Sequence, residues 1–238
     1  MKFIWSTIFY NPLYNLLMFF VSISPDLGIA VILLTLLVKI VLFPLSKKAI
    51  VSQFKMKLIQ PKIDKIKKEV SDKQEQAKQT FALYKKEGVN PFSSCVVLLI
   101  QLPILFALYY VFLSGLGTVD TTLLYSFVPH PETINNLFLG MFDMTKPSIL
   151  FGVLAGVTQF FQLKHQPVIQ EKPSDEADMQ AMLAYNMTRQ MKYILPVVII
   201  VVSIKLPSAL ALYWIVSNVV TLIQEQLIKK SLQKHHEI

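Results

Sequence analysis

Most motifs that identify enzymes and metal proteins are missing from this sequence. It contains no glycine-rich phosphate loop, no His/Cys cluster at metal-ligand spacing and no G-x-S-x-G nucleophile turn. The four histidines fall in predicted loops or in the C-terminal tail, where solvated histidines are common: His130, His165, His235 and His236. We therefore expect no enzymatic activity, no cofactor and no metal site.

Cysteine and charge are both scarce. The single Cys95 can form no disulfide within the chain, and its apolar neighbours favour the role of a small buried hydrophobe. Charged residues make up 16% of the chain and hydrophobic residues 53%, with a mean hydropathy of +0.50. This composition excludes an ordinary soluble domain and predicts an all-α integral membrane protein.

The net charge of +8 belongs almost entirely to one segment. The segment between Ser46 and Phe92 contains twelve lysines and five acidic residues. A lysine-rich loop marks the cytoplasmic side of a membrane protein, so this charge indicates topology. Because the lysines do not alternate with aromatic residues, we expect no direct sequence-specific nucleic-acid binding, although contact with ribosomal RNA is open.

One charge lies inside an apolar run that is long enough to cross a bilayer. The run extends from Leu27 to Leu45 and contains Lys39, which costs roughly 2.5–3.5 kcal/mol at a helix centre. Lys39 lies about 10 Å from the nearer end, and its side chain tilts back toward the membrane centre. We favour a hydrated polar cavity between helices, with Thr35 one turn away on the same face. Snorkelling of the ammonium to the interface is the alternative.

Apolar runs and basic clusters together predict five transmembrane helices, with the N-terminus outside and the C-terminus in the cytoplasm. Polar residues of the first 25 positions form one narrow stripe, which favours an N-terminal interfacial amphipathic helix; a spanning or signal-like helix is open. The predicted segments are 1–25 interfacial helix, 26–46 first span, 47–90 cytoplasmic helical hairpin, 91–114 second span, 115–147 extracytoplasmic loop, 148–163 third span, 164–192 cytoplasmic loop, 193–228 fourth and fifth spans, and 229–238 basic cytoplasmic tail.

Two predicted spans are shorter than the hydrocarbon layer. Ser148–Leu163 would measure roughly 24 Å and Tyr193–Ile204 roughly 18 Å, against about 30 Å of hydrocarbon. Short spans thin the bilayer or draw polar residues inward. With Lys39, they predict a thinned and hydrated patch of membrane.

A series of short motifs resembles one family throughout the chain. The motifs are Thr35-Leu-Leu-Val-Lys-Ile-Val-Leu-Phe-Pro-Leu45, Met56-Lys-Leu-Ile-Gln-Pro-Lys62, Ala82-Leu-Tyr-Lys85, Val89-Asn-Pro91, Leu98-Leu-Ile-Gln-Leu-Pro103, Leu108-Tyr-Tyr110 and Leu206-Pro-Ser-Ala-Leu-Ala-Leu-Tyr-Trp-Ile-Val-Ser-Asn218. Together they are similar to the YidC membrane protein insertases, in the short form without the large N-terminal periplasmic domain.

The resemblance implies five helices around a hydrophilic groove that opens to the cytoplasm and to lipid in the bacterial plasma (inner) membrane. It implies a function as an insertase and chaperone for nascent membrane proteins, with the ribosome, the Sec translocon and membrane lipids as further partners. The groove residues expected from it are Lys39, Thr35, Gln101, Gln159, Gln162, Ser217 and Asn218, with Tyr213 and Trp214 at the exit.

One departure from the family concerns the groove cation. It is usually arginine, whereas this chain has Lys39. A lysine can lose its proton in a dry site, so a wetter groove is expected here.

Two other classes of function are open from the sequence. A small-solute transporter or channel could use Lys39 as an anion site, although no second half of the chain resembles the first. A structural assembly factor without insertase activity is the other. For the lysine-rich hairpin, a solvated spacer and a docking surface for a partner or anionic lipid headgroups are equally compatible with the pattern.

Overall fold

The computed structural model describes residues 5–90, 93–114, 119–131, 133–165 and 179–236, and within these ranges the chain is mainly helical. A π-helical turn, Ser6–Tyr10, precedes the first helix, and a 3-10 turn lies at Thr121–Leu123. The regular elements are α1 Asn11–Ile23, α2 Leu27–Val41, α3 Phe43–Glu69, α4 Lys73–Glu87, α5 Ser93–Ser114, β1 Leu137–Phe138, β2 Phe142–Asp143, α6 Ile149–His165, α7 Met179–Ser203 and α8 Ser208–His236.

The chain divides into two compact units. The first comprises Met1–Leu42, Ile100–His165 and Arg189–Leu222, and the second comprises Phe43–Leu99, Gln166–Thr188 and Ile223–Ile238. In the first unit, apolar side chains of α1, α2, α5, α6, α7 and α8 form one core, with Leu17, Leu34, Leu108, Ala155 and Ala209 fully buried. This core packs like the interior of a helical bundle and holds the polar residues described below.

Helix α1 is embedded in the first unit through one polar residue of its predicted stripe. Asn15 is 2% exposed; its side-chain nitrogen donates to the carbonyl of Leu123 at 2.8 Å, and its oxygen accepts from the amide of Tyr125 at 2.6 Å. The Tyr14 hydroxyl accepts from the amide of Asp120 at 2.8 Å. At this position the polar stripe therefore faces the loop after α5 rather than water, and the interfacial placement of the helix stays a prediction.

A short β-hairpin lies at the N-terminal end of α2. Asp26 caps α2 by accepting from the amides of Gly28 at 2.8 Å and Ile29 at 3.1 Å, and its other oxygen accepts from the amide of Leu139 at 2.8 Å. Gly28 is required here because a Cβ at this position would lie 2.2 Å from the Phe138 ring. The sequence predicted only an extracytoplasmic loop here, so the strands are a finding of the structure.

The second unit contains the charged helical hairpin. Helices α3 and α4 enclose a small apolar cluster of Ile59, Ile63 and Val89, and Gly88 ends α4 in the left-handed conformation at φ 62°. Ser52 donates to the carbonyl of Asn90 at 2.9 Å, which ties the returning chain to the first arm. The hairpin therefore has an apolar seam of its own.

Several helix ends differ from the sequence-based boundaries. Helix α2 ends at Val41 and α3 begins at Phe43, so the first arm of the hairpin starts before the predicted boundary between 46 and 47. Helix α7 begins at Met179, inside the predicted cytoplasmic loop, and α8 continues into the predicted tail. Residues 166–178 of that loop lie outside the described residues.

Among the described residues, one helix segment, Ser208–Gln233, is long and apolar enough by itself to cross a membrane, and a second qualifies if α2 and α3 form one span. Leu99–Leu113 and Lys192–Ser203 are shorter apolar stretches. The five-span arrangement therefore belongs to the proposal below.

Candidate functional site

The last turn of helix α2 shows burial opposite to that of a soluble protein. Its one charged side chain, Lys39, is 9% exposed, whereas the apolar Ile40 and Val41 are both 67% exposed. In water this distribution would leave the ammonium without solvent and two large apolar side chains in contact with it. Lipid around the helix removes the cost of the exposed apolar side chains, and a cation turned inward toward polar partners costs less than one that faces lipid. The pattern therefore indicates a membrane-embedded helix with its cation turned inward.

The ammonium of Lys39 is held by a hydroxyl of α8. Its Nζ donates to Thr221 Oγ1 at 3.0 Å, and Thr221 in turn donates to the carbonyl of Ser217 at 2.8 Å. Because the hydroxyl proton is directed to that carbonyl, the lone pairs of Thr221 are free to face the ammonium. Thr35, one turn before Lys39, is fully buried and donates to the carbonyl of Val31 at 2.6 Å, so its proton is used within α2.

Helix α6 contributes a second set of inward polar residues. Gln159 is 7% exposed and donates to Gln162 Oε1 at 2.8 Å, while Asn218 of α8 donates to Thr158 Oγ1 at 3.2 Å. On the opposite side of this helix, Val157 and Phe161 are exposed. As at the end of α2, a polar side chain of α6 is therefore buried while apolar side chains on the opposite side of the helix are exposed.

The two aromatic residues expected at the exit have different environments. Tyr213 is 1% exposed in the core, and its hydroxyl accepts a short hydrogen bond from Gln101 Nε2 of α5. Trp214 is half-buried and packs at the edge of the same core. Tyr213 thus links α5 to α8 with its ring enclosed, whereas Trp214 has part of its surface exposed. The placement of both residues at a groove exit stays a prediction.

Comparison with known proteins assigns this chain to a family. The family described as "60Kd inner membrane protein" matches residues 19–235. A membrane protein insertase YidC from Psychromonas ingrahamii is 35% identical over 231 residues, which are 97% of this chain and 36% of that protein. The chain belongs to the YidC family. It spans about a third of the length of that curated relative.

A solved YidC structure has the same fold over most of the chain. The crystal structure of an active YidC insertase, with its first transmembrane domain resolved, matches with a TM-score of 0.58 at 26% identity, covering 94% of this chain and 46% of that one. Membership of the YidC family agrees with the exposed apolar faces of α2 and α6 and supports a location in a bacterial membrane.

In this YidC family chain, α8 is the element that collects the polar residues. At about 100° per residue, positions 213, 217, 218 and 221 fall within one face of the helix, and they contact side chains of α5, α6 and α2. Two of the partners, Thr221 and Thr158, were missed from the sequence. A hydroxyl in an apolar helix is common, and the signal that identifies Thr221 is its position one turn after Ser217 and Asn218 on the same face.

Proposed function

We propose that this chain is a membrane protein insertase and chaperone, which moves nascent membrane proteins into the bilayer through a hydrophilic groove open to the cytoplasm. Its groove contains Lys39 as a fixed cation, with Thr35, Gln101, Gln159, Gln162, Ser217 and Asn218 as polar lining. The observation that carries this proposal is the inward ammonium of Lys39, held by Thr221 on a helix whose outer face is apolar.

The cation attracts the polar leading segment of a substrate. The ammonium of Lys39 has three N–H donors, and one of these donors is bound to Thr221. The remaining two can donate to a carboxylate, and an acidic leading segment offers such acceptors. Because the groove is a narrow hydrated space bounded by low-dielectric helices and lipid, this attraction is stronger than it would be in bulk water.

The apolar segment of the substrate follows the outer faces of α6 and α8. On α6 the exposed side chains are Ile149, Leu150, Val153, Leu154, Val157 and Phe161. On α8, Trp214 is half-buried and Val219 is 40% exposed. A substrate helix that slides along these surfaces enters lipid while its polar leading segment crosses a thinned membrane, which shortens the polar path.

We place five spans in the membrane, with the N-terminus outside and the lysine-rich hairpin and C-terminus in the cytoplasm. This arrangement puts every basic cluster of the sequence on the inner side. The partners are nascent membrane proteins and membrane lipids, with the ribosome and the Sec translocon as candidates reached from the cytoplasmic side.

Depletion of the protein and a matched substrate pair test this function. In cells that depend on this chain, integration of short single-span proteins should fail on depletion and recover on re-expression. Each substrate is followed by protease accessibility of its translocated segment, with and without acidic leading residues.

Unchanged integration together with a lost solute flux would favour a transporter. Unchanged integration with failed assembly of membrane complexes would favour an assembly factor. Either result would overturn the insertase proposal.

A further inference from the structure

The β1–β2 turn of the first unit presents apolar side chains at its surface. The tip, defined here as Leu137 to Met141, contains three such residues: Leu137 is 42% exposed, Leu139 is 60% exposed and Met141 is 70% exposed. The two phenylalanines beside them, Phe138 and Phe142, point the other way, because β-strand neighbours alternate between faces.

Leucine is an unusual residue for the backbone that this turn requires. Leu139 has φ 53° and Gly140 has φ 71°, and Leu139 is the one non-glycine residue with positive φ in the part of the chain that the structure describes. Turns of this shape favour Asn-Gly, because asparagine tolerates the left-handed region and leucine is strained in it. A strained residue that is also exposed gains nothing from core packing, so its side chain indicates a contact outside the protein.

We propose that this tip inserts into the lipid leaflet at the N-terminal end of α2 and anchors the first unit at the membrane interface. The occupant of the surface is lipid, at the level where acyl chains meet the headgroups. This inference concerns a surface distant in sequence from the polar residues of the candidate site.

Continuity with α6 is the first argument for lipid. The rings of Phe138 and Phe142 pack on Phe151 of α6, with centroids 6.5 and 5.4 Å away. The exposed residues Ile149 and Leu150 begin the outward apolar face of that helix. The hairpin is therefore held against the N-terminal end of α6, which is the end where the outward apolar face of that helix begins.

The hydrogen bonds of the turn are the second argument. The amide of Leu139 donates to Asp26 at 2.8 Å, that of Gly140 to Leu137 at 3.2 Å and that of Met141 to Phe138 at 3.1 Å. All three amides at the turn thus have acceptors within the protein, as a turn that leaves water requires. The apolar tip is followed in the chain by a polar pair. Asp143 forms an ion pair with the exposed Lys146 at 2.9 Å, which marks the end of the apolar surface.

Site-directed spin labelling measures the depth of the tip. In a Cys95→Ser background of the full chain, a nitroxide is attached at Met141→Cys and, as the matched control, at Thr133→Cys, which is an exposed polar position of the same loop outside the tip. The protein is reconstituted in phospholipid vesicles, and relaxation by oxygen, which partitions into lipid, is compared with relaxation by a water-soluble nickel chelate.

We expect the label at 141 to be several-fold less accessible to the nickel chelate than the label at 133, and more accessible to oxygen. Equal accessibility of the two positions to the chelate would overturn the proposal. Exclusion of both relaxants at 141 with an immobilised spectrum would overturn it as well, because a protein would then cover the tip.

A second variant separates the lipid contact from the fold. Leu139→Asn places the favoured residue in the turn, so thermal stability in detergent should be unchanged or higher. In vesicles the same change should raise the chelate accessibility of the label at 141. An unchanged accessibility would remove Leu139 from the contact and overturn the argument from its strain.

Discussion

At the scale of single residues, the contact between Lys39 and Thr221 accounts for a charge inside an apolar helix. The ammonium donates to one hydroxyl at 3.0 Å and has further donors for a ligand. Lysine suits this arrangement because its charge is compact and its three donors rotate, whereas arginine presents a planar fork. The hydroxyl and the ammonium therefore act as one unit in the proposed groove.

Thr221→Val should reduce insertion of substrates with acidic leading segments, because valine keeps the shape of threonine and removes the acceptor that positions the ammonium. A hydrogen bond to a charged group is worth about 1.5–3 kcal/mol. Thr221→Ser keeps the hydroxyl and should retain most of the activity. The measurement is protease accessibility of the translocated segment in cells that carry each variant alone.

The control for this prediction is Thr221→Val in a variant that lacks the charge of Lys39. In a Lys39→Ala background, Thr221→Val should have no further effect on insertion of the substrate without acidic leading residues, which Lys39→Ala affects less. If Thr221→Val reduces insertion equally with and without Lys39, the hydroxyl acts independently of the ammonium, and its positioning role is rejected.

Substitutions of Lys39 itself test the electrostatic mechanism. Lys39→Arg should retain function, since arginine keeps the charge and binds carboxylates at least as well. Lys39→Ala should stop insertion of substrates with acidic leading segments, and Lys39→Glu should do so more completely. Protein levels should stay normal or rise in Lys39→Ala, because a costly intramembrane charge is removed.

The comparison that decides this prediction uses a pair of substrates with and without acidic leading residues. The uncharged substrate should be affected less. Near-normal insertion of both by Lys39→Ala would mean that the ammonium only wets the groove or snorkels.

The sequence identified the buried cation but not its partner. Lys39 stands out because a single charge interrupts a long apolar run, which composition alone reveals. Thr221 does not stand out, since its role depends on how α2 and α8 are rotated against each other, and no local pattern specifies that. The enclosure of Tyr213 has the same origin: an aromatic residue in an apolar helix has no sequence signal that separates core from lipid.

At the scale of elements, α6 and α7 approach closely at two glycines. A Cβ on Gly156 would lie 2.2 Å from Ile200 Cγ1 and 2.9 Å from the carbonyl oxygen of Pro196, which belongs to the backbone. At Gly152 the nearest atom is the side-chain carbon Ile204 Cγ1 at 2.9 Å, and backbone atoms are 3.4 Å away. The helices have more freedom to accommodate a methyl group at Gly152.

Gly156→Ala should therefore destabilise the protein more than Gly152→Ala. Overpacking of this kind costs about 1–3 kcal/mol, since a backbone carbonyl cannot move aside as a side chain can. Thermal unfolding in detergent compares the two variants, which differ by one helical turn and have the same chemistry. Equal destabilisation would mean that the α6–α7 packing relaxes around either methyl group.

The loop after β2 offers a prediction about pH. The hydroxyl of Thr145 and the ammonium of Lys146 lower the pKa of the Asp143 carboxyl from 3.8 to about 2. Because the folded pKa is lowered, the stabilising contribution of the carboxylate is complete above about pH 4 and is lost as the pH falls through about 2. At neutral pH the turn is unaffected by small pH changes.

Carbon-13 NMR of the Asp143 carboxyl in nanodiscs measures this directly, with an expected midpoint near 2. Thr145→Val together with Lys146→Met should move the midpoint up toward 3.8, since both stabilising groups are removed. Thr145→Ser, which keeps the hydroxyl, is the matched control. A midpoint near 3.8 in the unsubstituted protein would contradict the hydrogen bonds of this turn.

Helices were easier to anticipate than their ends. Long apolar runs predict α5 and α6 within a few residues, because the pattern continues over several turns. The β1–β2 hairpin has strands of two residues, too short for any alternation to register. Its turn was hidden as well, since Leu139 occupies the position where asparagine would have signalled it.

At the scale of the whole molecule, each of the two units is stabilised internally in a different way. The first has a large apolar core with polar residues inside it. In the second, the hairpin has the cluster of Ile59, Ile63 and Val89, and surface ion pairs such as that between Lys62 and Glu87 at 2.7 Å. Such pairs contribute little to stability, and exposed lysines of the first arm such as Lys55 and Lys57 face solvent.

Removal of the hairpin from Lys47 to Gly88, with a short flexible linker in its place, should leave the first unit folded. Its apolar seam is self-contained, because Ile59, Ile63 and Val89 pack against Met56, Leu83 and Tyr84 of the same segment. The truncated protein should accumulate in the membrane and unfold cooperatively in detergent. Insertion should nevertheless fall, because we propose that the hairpin docks a partner or anionic lipid on the cytoplasmic side.

A charge-neutralised hairpin separates docking from structure. Replacement of the exposed residues Lys55, Lys57, Lys65, Lys67 and Lys68 by glutamine keeps the helix and removes five of the hairpin's twelve lysine charges, which lowers its net charge from +7 to +2. This variant should accumulate normally and should show most of the loss of insertion seen in the truncated protein, since most of the net charge that attracts acidic partners is gone. If the truncated protein fails to accumulate while the neutralised hairpin supports normal insertion, the hairpin is structural. The docking role must then be abandoned, although the groove and its cation would be untouched by that result.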